Sequence, residues 1–181
     1  MSDAFKRKSQ QLLIMKLKTL LHLSAFLFSS LSAFAENEIC PIMIEDEIDT
    51  EEAVKFEGKT VYLCCGKCVK IWNSNPKYFI KTSLDLLPQF KGMEEKLKLN
   101  EVKLMPQKFC PVYKDRIVTP DSPSMEIQGK KVYVWSTSSI RRWNRSPEES
   151  LTEALEAGLL PQFPKNKKIK GKTNPVSEKK K

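Results

Sequence analysis

Histidine and glycine are both scarce in this sequence. The one histidine, His22, lies in a segment that we expect to be removed, so the processed chain would have no imidazole. Without histidine the chain cannot form a Ser/His/Asp triad, and any metal site must use sulfur or oxygen ligands. The six glycines do not form a loop of the kind that cradles phosphate groups. We therefore expect a protein that is not an enzyme.

The first 35 residues have the pattern of a signal peptide. Met15–Lys18 is a short basic region, residues 19 to 34 are apolar, and Ala33, Phe34 and Ala35 form a small-x-small cleavage site. We expect cleavage before Glu36 and export to a periplasmic or secreted location, with Met15 as a candidate functional start. A retained membrane anchor is the alternative. The apolar run is short for a span, so we expect no transmembrane segment in the mature chain.

The basic residues are concentrated at the two ends of the chain. Of the formal net charge of +9, residues 1 to 35 supply +4 and residues 165 to 181 supply +7, which leaves −2 for residues 36 to 164. The central part is therefore not a nucleic-acid-binding surface. The Lys-rich tail, residues 165 to 181, is typical of disordered sequence. It would contact an envelope protein or an anionic surface, or serve only as a solvated tail.

An internal repeat organises the central part. Three blocks recur in the same order, the longest without gaps at a constant shift of 71 positions, and such self-similarity indicates tandem copies of one unit. The paired blocks are 58–76 with 129–147, 40–42 with 110–112, and 86–90 with 159–163. The chain is thus predicted to hold module one at 36–92, a linker at 93–107 and module two at 108–164.

Each module is predicted to be a β-hairpin followed by short helices, which gives an α+β fold. Residues 54–56 and 61–64 have strand-forming side chains on either side of turn residues that include Gly58. Residues 67–73 have the apolar spacing of a short helix, and Pro76 suits the first position of the next one. A unit of this size buries little apolar surface and usually needs a metal, a disulfide or a partner.

Four cysteines of module one are candidate metal ligands. Cys64, Cys65 and Cys68 lie where the second strand runs into the helix, and Cys40 comes from the far end of the hairpin. Two local ligands and one distant ligand are a typical way to close a small metal site. Three thiolates suit copper(I), and four suit zinc if Cys65 turns inward. We expect one thiophilic ion, zinc or copper(I).

The residues around these cysteines resemble the YHS and TRASH group of small metal-binding modules. The resemblance lies in residues 40–42, 58–68 and 75–78. It implies a role in heavy-metal sensing, trafficking or resistance. It also implies that Cys40, Cys64 and Cys68 are the ligands and that Cys65 is an additional cysteine.

Module two repeats the scaffold without the ligands. Trp135, Ser136 and Ser139 stand where module one has its three clustered cysteines, and Cys110 is left alone. Tryptophan and hydroxyl groups are poor ligands for soft metals. We expect module two to be a structural or partner-binding copy, in which Trp135 and Trp143 fill space.

The predicted function is exported heavy-metal binding, in which cysteine thiolates hold, buffer or deliver copper(I) or zinc. An alternative is a structural or partner-binding protein of the cell envelope, stapled by disulfides or stabilised by a metal. A third interpretation is a thiol oxidoreductase that uses Cys65 and Cys68, since this spacing is also the redox arrangement. Module one is small for the fold that such an enzyme needs.

Overall fold

The computed structural model describes residues 36 to 164, and it confirms an α+β fold. The predicted signal peptide and the Lys-rich tail lie outside the described residues. The described part contains two antiparallel hairpins and four α-helices. Within residues 36 to 164, no helix has the length and apolar character needed to cross a membrane.

The first hairpin pairs β1 (Asp49–Phe56) with β2 (Lys59–Leu63). Its two-residue turn has positive φ angles at Glu57 (50°) and at Gly58 (76°). The right-handed twist of the paired strands favours such a turn, and glycine adopts this conformation without a steric cost. The strand starts at Asp49, earlier than predicted, and its register is irregular between Asp49 and Ala53.

Two helices follow the hairpin, where the sequence predicts them. The first, α1 (Gly66–Ser74), begins after Cys65 and buries Cys68 and Trp72. These two residues are four positions apart and share one helical face, which is the face turned to the core. The second, α2 (Pro76–Thr82), starts at a proline, which has no N–H to leave unpaired there.

The second copy has the same order of elements. Its strands are β3 (Ser124–Ile127) and β4 (Lys130–Tyr133), and its helices are α3 (Thr137–Trp143) and α4 (Pro147–Glu156). The turn residues Gln128 and Gly129 repeat the positive φ angles of the first hairpin, at 50° and 74°. The sequence repeat is therefore also a structural repeat.

A pair of amide side chains also repeats, in which Asn37, Gln89 and Gln107 are buried and Gln162 is half-buried. The repeated sequence blocks do not include Asn37 or Gln107. In module one, Asn37 accepts a hydrogen bond from the Tyr62 N–H and donates one to the Tyr62 carbonyl, while Gln89 donates to Asn37. Gln107, the last residue before module two, makes the same pair of bonds with Tyr133 of that module, and Gln162 donates to Gln107. Asn37 and Gln107 thereby each pair with a backbone N–H and a carbonyl of the second hairpin strand.

The two modules pack against each other in one compact unit. The N–H of Ile117 donates to the Ile42 carbonyl at 2.9 Å, and the N–H of Ile44 donates to the Asp115 carbonyl at 3.0 Å. Buried side chains from both modules form one continuous core. The cysteine-bearing loop of module one is therefore held in part by backbone of module two.

The segment expected to be a linker, 93–107, is folded against module one. Its side chains Leu97 and Leu99 are buried, and Lys81 of α2 donates a hydrogen bond to the Val102 carbonyl at 2.8 Å. This packing fixes the path of the chain from one module to the next.

Candidate metal site

Three separate structural features bring the thiols of module one together. Cys40 lies in a tight loop that is closed by a hydrogen bond from its own N–H to the Asp46 carbonyl, at 2.9 Å. Cys64 directly follows β2, and Cys68 lies in the first turn of α1. Because the hairpin returns the chain to its starting end, the early cysteine meets the two late ones.

The sulfur atoms of Cys40, Cys64 and Cys68 lie within 4.8 Å of one another. The Sγ atoms of Cys64 and Cys68 are 3.6 Å apart. An ion about 2.3 Å from each of several sulfurs holds those sulfurs roughly 4 Å apart, so the three thiols could surround one ion with little rearrangement. Cys40 and Cys68 are fully buried, and Cys64 is partly exposed. The group can thus be reached from solvent on the Cys64 side.

The Cys40 thiol is the first of the three to ionise. Hydrogen bonding from the Cys68 thiol lowers the pKa of Cys40 to about 6, and backbone N–H donors support the same shift against the opposing effect of burial. One of these donors is the N–H of Met43, 3.5 Å from the Cys40 sulfur. The metal-free cluster therefore carries a thiolate at neutral pH.

The other two thiols keep their protons. Burial and the negative charge of Cys40 raise the pKa of Cys64 to about 12. The pKa of Cys68 is also raised, because its hydrogen bond to Cys40 and its burial both favour the thiol form. A second and a third thiolate become favourable only when a positive ion is present to neutralise them.

Cys65 lies beside this group. Its sulfur is 3.8 Å from that of Cys64, and it is partly exposed at the N-cap of α1. Burial opposes its ionisation, but hydrogen bonds from the backbone of Cys68 and from neighbouring thiols outweigh that effect and lower its pKa. Cys65 is thus an accessible thiol next to the three clustered ones. All five cysteines, each within residues 36 to 164, are free thiols.

Met43 is a site residue that the sequence analysis did not predict. Its Sδ atom lies 3.3 Å from the sulfur of Cys68 and 3.6 Å from that of Cys64. Met43 stands three positions after Cys40, which is the spacing of a Cys-X2-Cys pair with a thioether in the second place. That spacing is the signal that could have identified it.

The corresponding position in module two is filled by aromatic rings and a guanidinium group. Cys110 is buried there and accepts a hydrogen bond from the Tyr113 N–H, as Cys40 does from Met43. The Arg116 guanidinium lies 4.2 Å from the Tyr113 ring centroid and 5.5 Å from that of Trp135. Ser136 and Ser139 form a capping box at the start of α3. Within the described residues, this part of module two therefore holds one cysteine and no cluster of thiols.

Comparisons with known proteins add no relative. No family model matches the chain, and searches of curated proteins and of solved structures found no match. The resemblance to YHS and TRASH modules consequently stays a prediction from the motif.

Proposed function

We propose that this protein binds one thiophilic metal ion, copper(I) or zinc, through Cys40, Cys64 and Cys68, and that it does so after export. The observation that carries the proposal is the cluster of three sulfur atoms within 4.8 Å, drawn from two distant parts of module one. Thiolates are the preferred protein ligands of both ions. The motif resemblance to YHS and TRASH modules points to the same chemistry.

Cys110 offers an internal comparison for this proposal. It occupies the same loop position as Cys40 and is equally buried, yet no other thiol corresponds to Cys64 or Cys68 in module two. A lone buried cysteine is readily explained as a small apolar side chain in a core. Three thiols gathered within 4.8 Å of one another from two distant parts of module one form a ligand set that a lone cysteine cannot provide.

The exposure of the site favours buffering or delivery of the ion over permanent retention. Cys64 is partly exposed, and the accessible thiol of Cys65 lies beside it. An incoming ligand from a partner could therefore replace the protein sulfurs one at a time from that side. A fully closed structural site would leave no such route.

Native mass spectrometry tests this proposal directly. The protein should be purified from its native compartment under reductant and without chelators. We expect the measured mass to equal that of a chain beginning at Glu36 plus one ion of copper or zinc. Replacing Cys40, Cys64 or Cys68 by Ser should weaken binding by several orders of magnitude, since each change removes one of the three thiolate ligands.

Cys110→Ser is the matched control, because it changes a buried thiol in the equivalent loop without touching the cluster. We expect it to leave stoichiometry and affinity unchanged. Two ions per chain, or a loss of binding in Cys110→Ser, would contradict the division into one binding and one structural module. In a second sample prepared without reductant, a mass lower by two hydrogen atoms, with two thiols resistant to alkylation, would favour the disulfide alternative.

A further inference from the structure

We infer that Met43 is a fourth sulfur ligand of this site and that its thioether makes the site selective for copper(I) over zinc. The inference deepens the proposed function and rests on it. It follows from the position of the Met43 sulfur, from the backbone contacts that hold it there, and from the residues that replace the site in module two.

The Met43 sulfur lies among the thiols and contacts two of them. Its Sδ atom is 3.3 Å from Cys68 Sγ and 3.6 Å from Cys64 Sγ, distances as short as the 3.6 Å between those two thiols. The same residue's N–H donates to Cys40 Sγ. The Met43 sulfur thus contacts two of the proposed ligands, while its N–H contacts the third, so an ion bound to Cys64 and Cys68 would lie close to the thioether.

The backbone on both sides of Met43 is fixed by module two. Met43 forms an antiparallel bridge with Arg116, and the neighbouring residues Ile42 and Ile44 make the two hydrogen bonds between the modules. A methionine that merely fills a gap gains from its flexibility. Here module two holds the main chain by hydrogen bonds to the residues on both sides of Met43, so the side chain starts from a defined position beside the thiols.

The residues of module two replace Met43 together with the thiols. Tyr113 occupies its position and repeats its N–H bond to the local cysteine, while Trp135 and Ser139 occupy the positions of Cys64 and Cys68. The thioether is thus absent from the copy that lacks the clustered thiols. Its replacement by Tyr113, which packs against Arg116, fits a position that belongs to the site.

The chemistry of the thioether distinguishes between the two candidate ions. A thioether is a neutral, soft donor, which suits copper(I) and contributes little to binding of zinc. Three thiolates alone can hold either ion. The fourth sulfur therefore adds affinity for copper(I) selectively, and no electron transfer is involved because the ion binds in its reduced form.

Metal titrations of a Met43→Leu variant test the inference. Leucine keeps the apolar volume and removes the sulfur. The full mature chain should be titrated under reductant with copper(I) and, separately, with zinc, each against a chromophoric chelator. We expect Met43→Leu to weaken copper(I) binding by about tenfold or more and zinc binding by about twofold or less. Met105→Leu is the matched control, since Met105 is also partly buried against the core, and both affinities should stay at wild-type values.

X-ray absorption of the wild-type chain labelled with selenomethionine supplies a second test that needs no mutation. Copper(I) should appear as a neighbour at the selenium edge, and zinc should not. Absence of a copper neighbour, or equal weakening of both ions in Met43→Leu, would overturn the inference. If wild-type protein showed no cysteine-dependent binding of either ion, the proposed function itself would fail. If binding depended on the cysteines but the affinities were unchanged in Met43→Leu, the proposed function would stand and only the inference about Met43 would be wrong.

Discussion

At the residue scale, the three clustered thiols differ in how readily they ionise, although their sulfur atoms lie within 4.8 Å of one another. The pKa of Cys40 is lowered to about 6 and that of Cys64 is raised to about 12. The Cys40 thiolate is stabilised by hydrogen bonds from the Cys68 thiol and from backbone N–H groups such as that of Met43. The Cys68 thiol can donate this bond only while it keeps its proton. The metal-free cluster therefore holds a single negative charge over most of the neutral range.

This division of protons predicts the pH dependence of metal binding. Between the pKa of Cys40 and that of Cys64, an ion that binds all three sulfurs must displace the protons of Cys64 and Cys68. Two released protons make the binding constant rise by about 100-fold per pH unit near neutrality. Below the pKa of Cys40 a third proton must also leave, so the dependence should steepen as the solution becomes more acidic.

Calorimetric titrations in buffers with different ionisation enthalpies measure the number of protons released. We expect two at neutral pH in the wild type and in Cys110→Ser, which leaves the cluster intact. A count of three at neutral pH would mean that Cys40 is not ionised in the metal-free protein. A count of one would mean that only two thiols bind the ion.

At the scale of single elements, the two hairpin turns match each other, and both need a residue that tolerates a positive φ angle. Gly58 and Gly129 have φ angles of +76° and +74°, and a side-chain carbon added at either position would meet no atom within 4 Å. Any penalty for adding a side chain there is therefore one of backbone conformation, since there is space for the added atoms. The hairpins that these turns close belong to one shared core.

The matched turns predict how the two modules unfold. Gly58→Ala and Gly129→Ala should each destabilise the metal-free protein by about 1 kcal/mol, because alanine is disfavoured at positive φ. Each change should shift the whole unfolding transition, followed in urea by circular dichroism and by tryptophan fluorescence. Gly58→Asn, which tolerates this conformation better, should cost less. A shift of only part of the transition would show that the modules unfold independently.

At the scale of the whole molecule, the second module supports the first through continuous packing. A unit as small as module one was predicted to need a metal, a disulfide or a partner. Module two meets part of this need, because it packs against module one and its backbone accepts and donates hydrogen bonds to the loop that follows Cys40. A bound metal would then add to the stability of a core that exists without it, whereas an isolated module would depend on the metal to fold.

Removal of the metal should therefore lower stability without unfolding the protein. Binding at a thousandfold excess over the dissociation constant stabilises the folded state by about 4 kcal/mol, which corresponds to an increase in Tm of roughly 10 °C. A chelator under reducing conditions should abolish this increase and leave the far-ultraviolet circular dichroism spectrum unchanged. Cys64→Ser should show no increase when metal is added. Loss of the spectrum on chelation would mean that the shared core cannot fold alone.

The sequence by itself determined the repeat, the local elements of each module and the group of candidate thiols. Strands, turns and short helices follow from neighbouring residues, as in Gly58 at a positive φ angle and Pro76 at the start of α2. The pairing of Cys40 with the later cysteines was predictable because a hairpin returns the chain to its starting end. These features depend on local geometry, which the order of residues encodes directly.

Only the tertiary structure decided how Met43, Cys65 and the two modules are placed. Met43 reaches the thiols because Arg116 and its neighbours, about seventy positions away, pair with its backbone, and no local pattern encodes such a contact. Cys65 lies beside the three thiols because the start of α1 directs Cys68 inward and leaves the thiol of Cys65 partly exposed. The shared core likewise depends on surfaces that meet only after each module has folded, since packing is a property of contacts between distant residues.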